Sequence, residues 1–598
     1  MVDERAPATG VEAEAGAVDD GPAEGEEQAV RPTLPRGWRA LVLAGLAVLF
    51  LVMGVAQARS DSLTIDESPD IAAGVSEWVH RDARINPEHG LLPHLSVGLL
   101  PVLFADPVVP EGESWRSGDW FAYTDDFVSA NDEAGRLDDV VFWARVPALV
   151  VGLLAALVIH ALATRLGGPD AGLLATGAWL TTPVVIGMHH LASIDPATAL
   201  AVLLVVLTSV RLVEAPSDRR AAVAGLALGA LLLTRHSGAA LVLVPVATAV
   251  VTAVARRDRI RRVAVVLVVA TALVWGLFRA VDPSGPEGVV REQQQALVDE
   301  AAEQSAVARL TAAAPLPLEW RAGFGWLTVS SGPKVSSALG QRWEGSRWWY
   351  YPVSLALASP PLTLVLLGLA PLAWARVRRA PPPRRRALAV IAGAAALVFV
   401  PLLAQPLQVG PRLMLPVLAL GLVLGAVAAG GVVAWRPARR RVVLAAGAVL
   451  AVAQLALVVG SSPSSFGWTS PGLRPEHRWA GTQATDIGQD RDRLAAWAAA
   501  RGDDPVAASV LLPLGQGLPP GVRDLEDVPA DELTGWVAVS VSALVTFGPD
   551  LSWLRAHCNV DTVGRSILVY RFDTPPDRRP GPGLPVEACS GSEVSSRP

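Results

Sequence analysis

The 598-residue chain is 51% hydrophobic and only 18% charged, and its formal net charge is −6. With a mean hydropathy of +0.39, this composition excludes a water-soluble globular protein over most of the chain and indicates an integral membrane protein, with the lipid bilayer as a partner. Residues 1–36 differ, because they are rich in Glu, Asp, Ala and Gly without periodicity. We expect a disordered acidic cytoplasmic tail there.

Residues 37–461 form the predicted transmembrane domain, because they contain apolar stretches of about 17–25 residues, the length that crosses a bilayer core. The first stretch begins near Leu41 behind an acidic tail, so we expect an uncleaved span and no signal peptide. We predict eleven spans, near 41–58, 141–163, 171–188, 196–213, 221–235, 238–255, 263–281, 351–374, 387–404, 411–435 and 441–460. The two spans flanking Arg235 could instead form a shallow hairpin.

Basic segments fix the predicted orientation, because short cytoplasmic loops carry an excess of Arg and Lys. Three Arg-rich segments fall on one side of the predicted spans: 256–262, 376–386 and 436–441. We therefore predict a multi-pass protein of the cell membrane with a cytoplasmic N-terminus. The loops 59–140 and 282–350 and the C-terminal domain 462–598 are expected outside the cytoplasm.

Two adjacent carboxylates, Asp66 and Glu67, follow the first span directly in Thr64-Ile-Asp-Glu-Ser-Pro-Asp-Ile-Ala-Ala-Gly74. One interpretation is structural, since Thr64-x-x-Glu67 fits a helix capping box and acids in a first turn suit the helix dipole. The other is catalytic, since a carboxylate is a common general base.

The same loop continues with Asn86-Pro87-Glu88-His89. An Asp-Glu segment and an Asn-Pro-Glu-His segment after one span resemble lipid-carrier-dependent glycosyltransferases of the GT-C superfamily. Within that superfamily the two segments resemble protein O-mannosyltransferases and aminoarabinose transferases, which are glycosyltransferase family 39-like. Two departures from that pattern are Asp70, where the family often has His, and Gly90-Leu91, where it often has Pro-Pro.

The resemblance implies an α-helical polytopic membrane protein. It also implies an enzyme that moves a sugar, such as mannose or another hexose, from a polyprenyl-phosphate donor to an acceptor hydroxyl on the outer face with inversion. Asp66 would be the catalytic base by position, with Glu67 beside it. The acceptor is an unknown protein, lipid or glycan, and we predict no nucleic-acid partner.

Three arginines fall where spans meet the outer face: Arg145, Arg235 and Arg412. Arg412 lies in Gly410-Pro-Arg-Leu-Met-Leu-Pro416, which resembles a Gly-x-Arg-x-x-Leu-Pro segment of bacterial relatives. A guanidinium can bond two phosphate oxygens at once, and a departing phosphate needs electrostatic stabilisation. We predict Arg412 and Arg145 as ligands of the donor phosphate, with snorkelling as the alternative for both, whereas we interpret Arg235 as a snorkelling side chain.

Asp195 begins the fourth span at the same face, where the relatives commonly show a second acid. We predict Asp195, Glu88 and His89 as substrate-binding residues, with helix capping as the alternative for Asp195. His189 and His190 precede it, but adjacent histidines do not share a helix face. We therefore predict no metal ligand and no cofactor, while a divalent cation stays an open alternative.

The two remaining exterior regions give weaker signals. The loop 282–350 is predicted to be helical around 291–308 and then aromatic, which is typical of an interfacial anchoring belt. In the tail, a helix near 491–501 and apolar runs at 506–512, 535–547 and 566–572 predict a small extracytoplasmic α/β domain. Asp490 is interpreted as a helix cap. An extracytoplasmic location permits a disulfide between Cys558 and Cys589, and whether they pair stays open.

A membrane transporter or flippase of lipid-linked sugars is the alternative function. Transporters usually place ionisable residues in the middle of the membrane, whereas nearly all acids here fall in loops or at outer span ends. A non-catalytic scaffold would not explain why the Asp-Glu and Asn-Pro-Glu-His segments share one exterior loop. No Walker, Rossmann, zinc-finger or serine-nucleophile motif occurs.

The predicted orientation can be tested by cysteine labelling from outside the cell. Gly112→Cys and Ser464→Cys, each in a background with Cys558 and Cys589 replaced by Ser, should react with a reagent that cannot cross the membrane. Labelling by permeant reagents alone would show that the orientation is inverted.

Overall fold

The computed structural model describes residues 35–377, 381–435, 440–461, 476–481, 484–547 and 551–578. Most of these residues are helical, which confirms the predicted α-helical polytopic class. The predicted tail 1–36, apart from its last two residues, lies outside the described residues, as does Cys589. The disulfide and the domain boundaries therefore stay predictions.

The first span and the exterior loop after it form five helices. They are α1 Arg36–Ser60, α2 Glu67–His80, α3 Leu91–Phe104, α4 Glu113–Ser117 and α5 Trp120–Glu133. Helices α2 and α3 cross where two glycines meet, because a Cβ at Gly74 or Gly98 would overlap the backbone of the other helix. This close crossing places the polar side of α2 directly against α3.

Seven further helices follow in the chain. They are α6 Leu137–Gly167, α7 Pro169–Leu180, α8 Pro183–His189, α9 Ile194–Glu214, α10 Asp218–Thr234, α11 Leu243–Val251 and α12 Arg256–Val281. Helices α7 and α8 are bent by 62° at a break. At this break the carbonyl of Thr181 has a hydrogen-bond donor from another helix, since the buried Gln454 side chain donates to the carbonyl and the hydroxyl of Thr181.

The second exterior loop and the last spans follow. Their helices are α13 Gly288–Gln304, α14 Ala306–Ala312, α15 Leu318–Val329, α16 Tyr350–Leu357, α17 Pro361–Val377, α18 Pro382–Leu402, α19 Leu415–Trp435 and α20 Arg440–Ser461. A hairpin of β1 Val335–Ala338 and β2 Gln341–Glu344 precedes α16. The helix predicted around 291–308 is thus present as α13 and α14.

Among the described residues, seven helices are long and apolar enough to cross a membrane, or eight if the bent pair α7–α8 counts as one span. Other predicted spans coincide with shorter apolar helices, so the number eleven stays a prediction. Helices α9 and α19 lie at the centre of the bundle, and their apolar faces form the main core with α6 and α7.

The C-terminal region contains α21 Glu476–Ala480, α22 Arg491–Ala499 and a five-stranded mixed sheet, as the apolar runs predict. Its strands are β3 Val506–Ser509, β4 Val522–Asp524, β5 Gly535–Ser540, β6 Asp561–Val563 and β7 Ile567–Phe572, in the order β4-β3-β5-β7-β6. Strand β3 pairs parallel with β4 and β5, whereas β7 pairs antiparallel with β5 and β6. Helix α22 packs on one face of the sheet through Leu494 and Ala498.

Candidate active site

Asp66 lies at the N-cap position of α2, but its side chain makes no capping hydrogen bond. Its neighbour makes one half of the predicted capping box, because Glu67 Oε2 accepts from the backbone N of Thr64 at 3.2 Å and also from its Oγ1 at 3.0 Å, although Thr64 is not the N-cap residue of α2. The carboxylate of Asp66 is 31% exposed. The structural interpretation therefore applies to Glu67, whereas the catalytic role of Asp66 stays a prediction.

Glu67 and Arg145 form a buried ion pair between α2 and α6, with side chains 0% and 1% exposed. The two Glu67 oxygens accept from Nε and Nη2 of Arg145 at 2.8 and 2.7 Å. Burial would raise the pKa of Glu67, but the charge and hydrogen bonds of Arg145 outweigh it and lower that pKa. Glu67 Oε1 also accepts from the backbone N of Ala192 at 2.7 Å.

The remaining three N–H groups of Arg145 donate to backbone oxygens at the end of α1 and just after it: Ala58, Asp61 and Ser62. All five donors of the guanidinium are then in use. Arg145 has no N–H group left for a phosphate, so the predicted role as a donor-phosphate ligand does not agree with this geometry. It ties α6 to the turn that leads into Asp66.

Four charged side chains alternate in sign close to the ends of helices, and we call them the charged row: Asp66, Arg412, Asp195 and Arg235. Arg412 Nη1 contacts Asp66 Oδ2, and its Nε lies 3.9 Å from Asp195 Oδ2. Asp195 Oδ1 in turn accepts from Nη1 of Arg235 at 2.8 Å. The structure thus brings together three of the predicted site residues.

Arg235 is the member of the charged row to which the sequence analysis assigns no role in the site. It lies at the break between α10 and a 3₁₀ turn, His236–Val242, and its side chain is 23% exposed. A charged residue that interrupts an apolar run at the outer face is the signal that could have identified it. The snorkelling interpretation assigns no partner to Arg235, whereas in the structure Arg235 pairs with Asp195.

Buried aromatic residues of the second exterior loop hold the turn that carries Arg412. The Tyr350 hydroxyl accepts from the backbone N of Gly410 at 2.7 Å, and the Tyr351 hydroxyl donates to the Leu407 carbonyl at 2.7 Å. Both tyrosines are at most 1% exposed. The predicted anchoring belt is therefore wrong for these two residues, whose side chains point into the protein and position Arg412.

The C-terminal region holds the turn that carries Asp66. The backbone N of Ser62 donates to the Gln489 carbonyl at 3.0 Å, and the backbone N of Ile65 donates to the Ile487 carbonyl at 3.1 Å. The Asp490 side chain does not cap α22 as expected. Its Oδ2 instead accepts from the backbone N and the hydroxyl of Ser566 at 3.1 and 2.7 Å, which fixes this segment to the sheet.

Glu88 and His89 follow Asp66 in the same loop, but their partners lie outside the charged row. Glu88 Oε2 accepts from the indole N–H of Trp326 at 3.1 Å. His89 Nδ1 lies 2.6 Å from Asp70 Oδ1. Burial would raise the pKa of Asp70, but His89 and His94 outweigh it and lower that pKa to about 2.

The three residues weighed as a metal site, His189, His190 and Asp195, do not converge. His189 Nδ1 lies 2.7 Å from the Val185 carbonyl, whereas His190 Nε2 faces the Asp61 carboxylate at 2.9 Å. Asp195 belongs to the charged row. Within the part of the chain that the structure describes, the one set of three His and acidic side chains close enough for a metal ion is Asp70, His89 and His94.

The fold and this geometry define an α-helical, multi-pass membrane protein that presents paired acids and arginines at the ends of its apolar helices. Residues 137–277, about a quarter of the chain, match the family described as dolichyl-phosphate-mannose-protein mannosyltransferase. The match confirms the resemblance indicated by the exterior-loop motifs and supports a membrane glycosyltransferase as the class. No curated protein matches the chain.

Solved structures of two transferases are similar to the chain at low identity. ArnT from Cupriavidus metallidurans bound to undecaprenyl phosphate is 16% identical, with a TM-score of 0.44 over 90% of this chain and 98% of that one. Its apo state is 14% identical, with a TM-score of 0.46 over 89% and 97%. The apo oligosaccharyltransferase from Archaeoglobus fulgidus is 12% identical, with a TM-score of 0.41 over 85% and 70%.

The buried pair predicts a large loss of stability when one partner is removed. Glu67→Gln leaves the Arg145 charge without its counter-ion and should lower the free energy of unfolding by about 3–5 kcal/mol. Because both changes remove the same interaction, Glu67→Gln and Arg145→Gln should be strongly non-additive. The measurement is equilibrium unfolding of the purified chain in mixed micelles.

The exposed pair Arg165–Glu214 provides the control, since its side chains are 45% and 23% exposed. Arg165→Gln should cost about 1 kcal/mol or less. A Glu67→Gln chain that is as stable as Arg165→Gln would contradict the structural role of the buried pair.

Proposed function

We propose that the chain is a membrane glycosyltransferase that moves a hexose, such as mannose, from a polyprenyl-phosphate donor to an acceptor hydroxyl on the outer face. The observation that carries this proposal is the contact between Asp66 and Arg412, which pairs a partly exposed carboxylate with a guanidinium. A base and a phosphate ligand are the two groups that this transfer requires. The match of residues 137–277 to a mannosyltransferase family and the likeness to ArnT with its bound undecaprenyl phosphate point the same way.

Arg412 is the proposed ligand of the donor phosphate, with Arg235 at the other end of the row as a second cation. The guanidinium of Arg412 contacts a carboxylate in the ligand-free chain. An incoming phosphate competes for those same N–H groups, and its binding leaves the Asp66 carboxylate without this partner. Donor binding would thus prepare the base that the reaction needs.

In the proposed reaction the acceptor oxygen attacks the anomeric carbon on the side opposite the phosphate. Its proton passes to a carboxylate oxygen of Asp66, while the bond between the anomeric carbon and the phosphate oxygen breaks. The electron pair leaves with the polyprenyl phosphate, whose added charge Arg412 stabilises. One displacement of this kind inverts the anomeric configuration.

Glu67 and Arg145 are proposed as positioning residues, because both side chains are buried and their hydrogen-bonding atoms are directed at each other and at the backbone, away from a substrate. Asp195 has a different proposed role, since it lies between the two arginines of the charged row. A carboxylate there keeps Arg412 and Arg235 close together despite their like charge. Glu88 and His89 are proposed to line the acceptor side of the same exterior loop.

Asp66→Asn should lower the transfer rate by roughly 10²–10⁴-fold, the usual worth of a general base, without loss of folding or donor binding. The measurement uses sealed membranes and polyprenyl-phosphate-[³H]mannose, with label counted as it leaves the lipid extract for the acceptor fraction. Asp82→Asn is the control, since Asp82 lies in the same loop, is 24% exposed and pairs with Arg84. Near-normal transfer by Asp66→Asn, or label that enters vesicles while still attached to its lipid, would overturn the proposal.

Arg412→Lys keeps the charge but loses the planar fork, so kcat/KM for the donor should fall on the order of 10-fold or more. Arg412→Ala should fall roughly 10²–10³-fold, as expected when one donor to a developing charge is removed. Arg279→Lys serves as the matched control, because Arg279 pairs with Glu319 at the exterior end of α12. Donor kinetics that are equal in Arg412→Ala and wild type would remove Arg412 from the site.

A further inference from the structure

A second polar cluster lies beneath the crossing of α2 and α3, and it is separate from the charged row. Its members are Asp70 of α2, His89 of the following loop and His94 of α3. Their ligand atoms all lie within 4.8 Å of one another. Asp70 Oδ1 is 2.6 Å from His89 Nδ1 and 3.4 Å from His94 Nε2. The side chains of Asp70 and His94 are 2% exposed, whereas His89 is 22% exposed.

Two buried oxygens in this cluster have no hydrogen-bond partner, Asp70 Oδ2 and Asn86 Oδ1. Asn86 belongs to the cluster because its Nδ2 donates to Asp70 Oδ1 at 3.0 Å. Buried polar atoms are almost always paired, so two unpaired acceptors at one place require an explanation. A cation close to Asp70 would provide it.

His94 is oriented as metal-binding histidines usually are. Its Nδ1 lies 2.9 Å from Oε1 of Glu77, which is itself only 2% exposed. This contact fixes the ring and directs Nε2 toward Asp70. A carboxylate that holds the far nitrogen of a histidine is the usual outer-shell partner of a metal ligand.

We propose that Asp70, His89 and His94 bind one divalent transition-metal ion, with Zn²⁺ as the best match to two imidazoles and one carboxylate. Glu77 is its outer-shell partner, and the exposed side of His89 leaves an open position. The ion links α2, the loop 81–90 and α3. Asp66 and Asp70 are four residues apart, so they share one face of the start of α2, and the ion stabilises the part of the helix that presents Asp66.

An ion-pair network without metal is the competing explanation. Two carboxylates, Asp70 and Glu77, face two imidazoles, which balance them when both are protonated. Burial would lower the pKa of His94, but Glu77 and Asp70 outweigh it and raise that pKa to about 10. In a network of this kind an ion must displace the imidazole protons, so stoichiometric Co²⁺ at neutral pH should not saturate the cluster, and a binding measurement separates the two explanations.

The test uses the full chain, free of affinity tags, purified in detergent and dialysed against a chelator. Titration with Co²⁺ should produce visible d–d absorption bands that saturate at one ion per chain, and Zn²⁺ should remove them. His89→Gln should abolish the bands; because His89 is only half-buried, this change should leave the fold intact. Asp70→Asn should do the same. Glu77→Gln should keep the stoichiometry and weaken the affinity roughly 10–100-fold.

His160→Gln is the control, since His160 lies in α6, faces Thr176 at 3.4 Å and is remote from the cluster in the chain. It should bind Co²⁺ as wild type does. The absence of saturable bands in wild type, or bands that persist in both His89→Gln and Asp70→Asn, would overturn the proposal. The readout does not depend on sugar transfer, so it is independent of the proposed function.

Discussion

The buried contact between Glu67 and Arg145 is the interaction on which the exterior site depends. Removing two charges from water costs several kcal/mol for each ion, and only complete pairing offsets that cost. Arg145 meets this condition, because its five N–H groups reach the Glu67 carboxylate and the backbone at the end of α1. The start of α2 is thereby fixed against α6. Asp66 immediately precedes Glu67, so its backbone is fixed as well.

Two other regions complete the site from far along the chain. The tyrosines at the start of α16 bind the backbone on the N-terminal side of Arg412, while the segment before α22 binds the backbone on the N-terminal side of Asp66. The second exterior loop and the C-terminal region therefore act on one contact, the one between Asp66 and Arg412. Loss of packing in either region would separate these two residues without changing them.

The position of the charged row follows from the cost of placing charge in a membrane. Ionisable side chains in the hydrocarbon are expensive, whereas those at helix ends keep contact with water or with one another. The four members are 8–31% exposed, and their alternating signs cancel. The row is therefore stable without a ligand, yet accessible enough for an anion to compete with its carboxylates.

The sequence by itself determined the membrane class, the apolar stretches and the small C-terminal sheet, because hydropathy and charge are local properties of the chain. Asp66 and Arg412 were chosen from short motifs that resemble a family, and their roles stay predictions. Tertiary structure decided which arginine meets which acid. Arg145 and Arg412 look alike in sequence. Every N–H group of Arg145 donates to a buried partner, whereas Arg412 contacts Asp66, which is 346 positions away in the chain. Arg235, the inward-facing tyrosines and the convergence of Asp70, His89 and His94 likewise depend on how helices pack, since spacing along the chain does not reveal whether a side chain's hydrogen-bonding groups are already used.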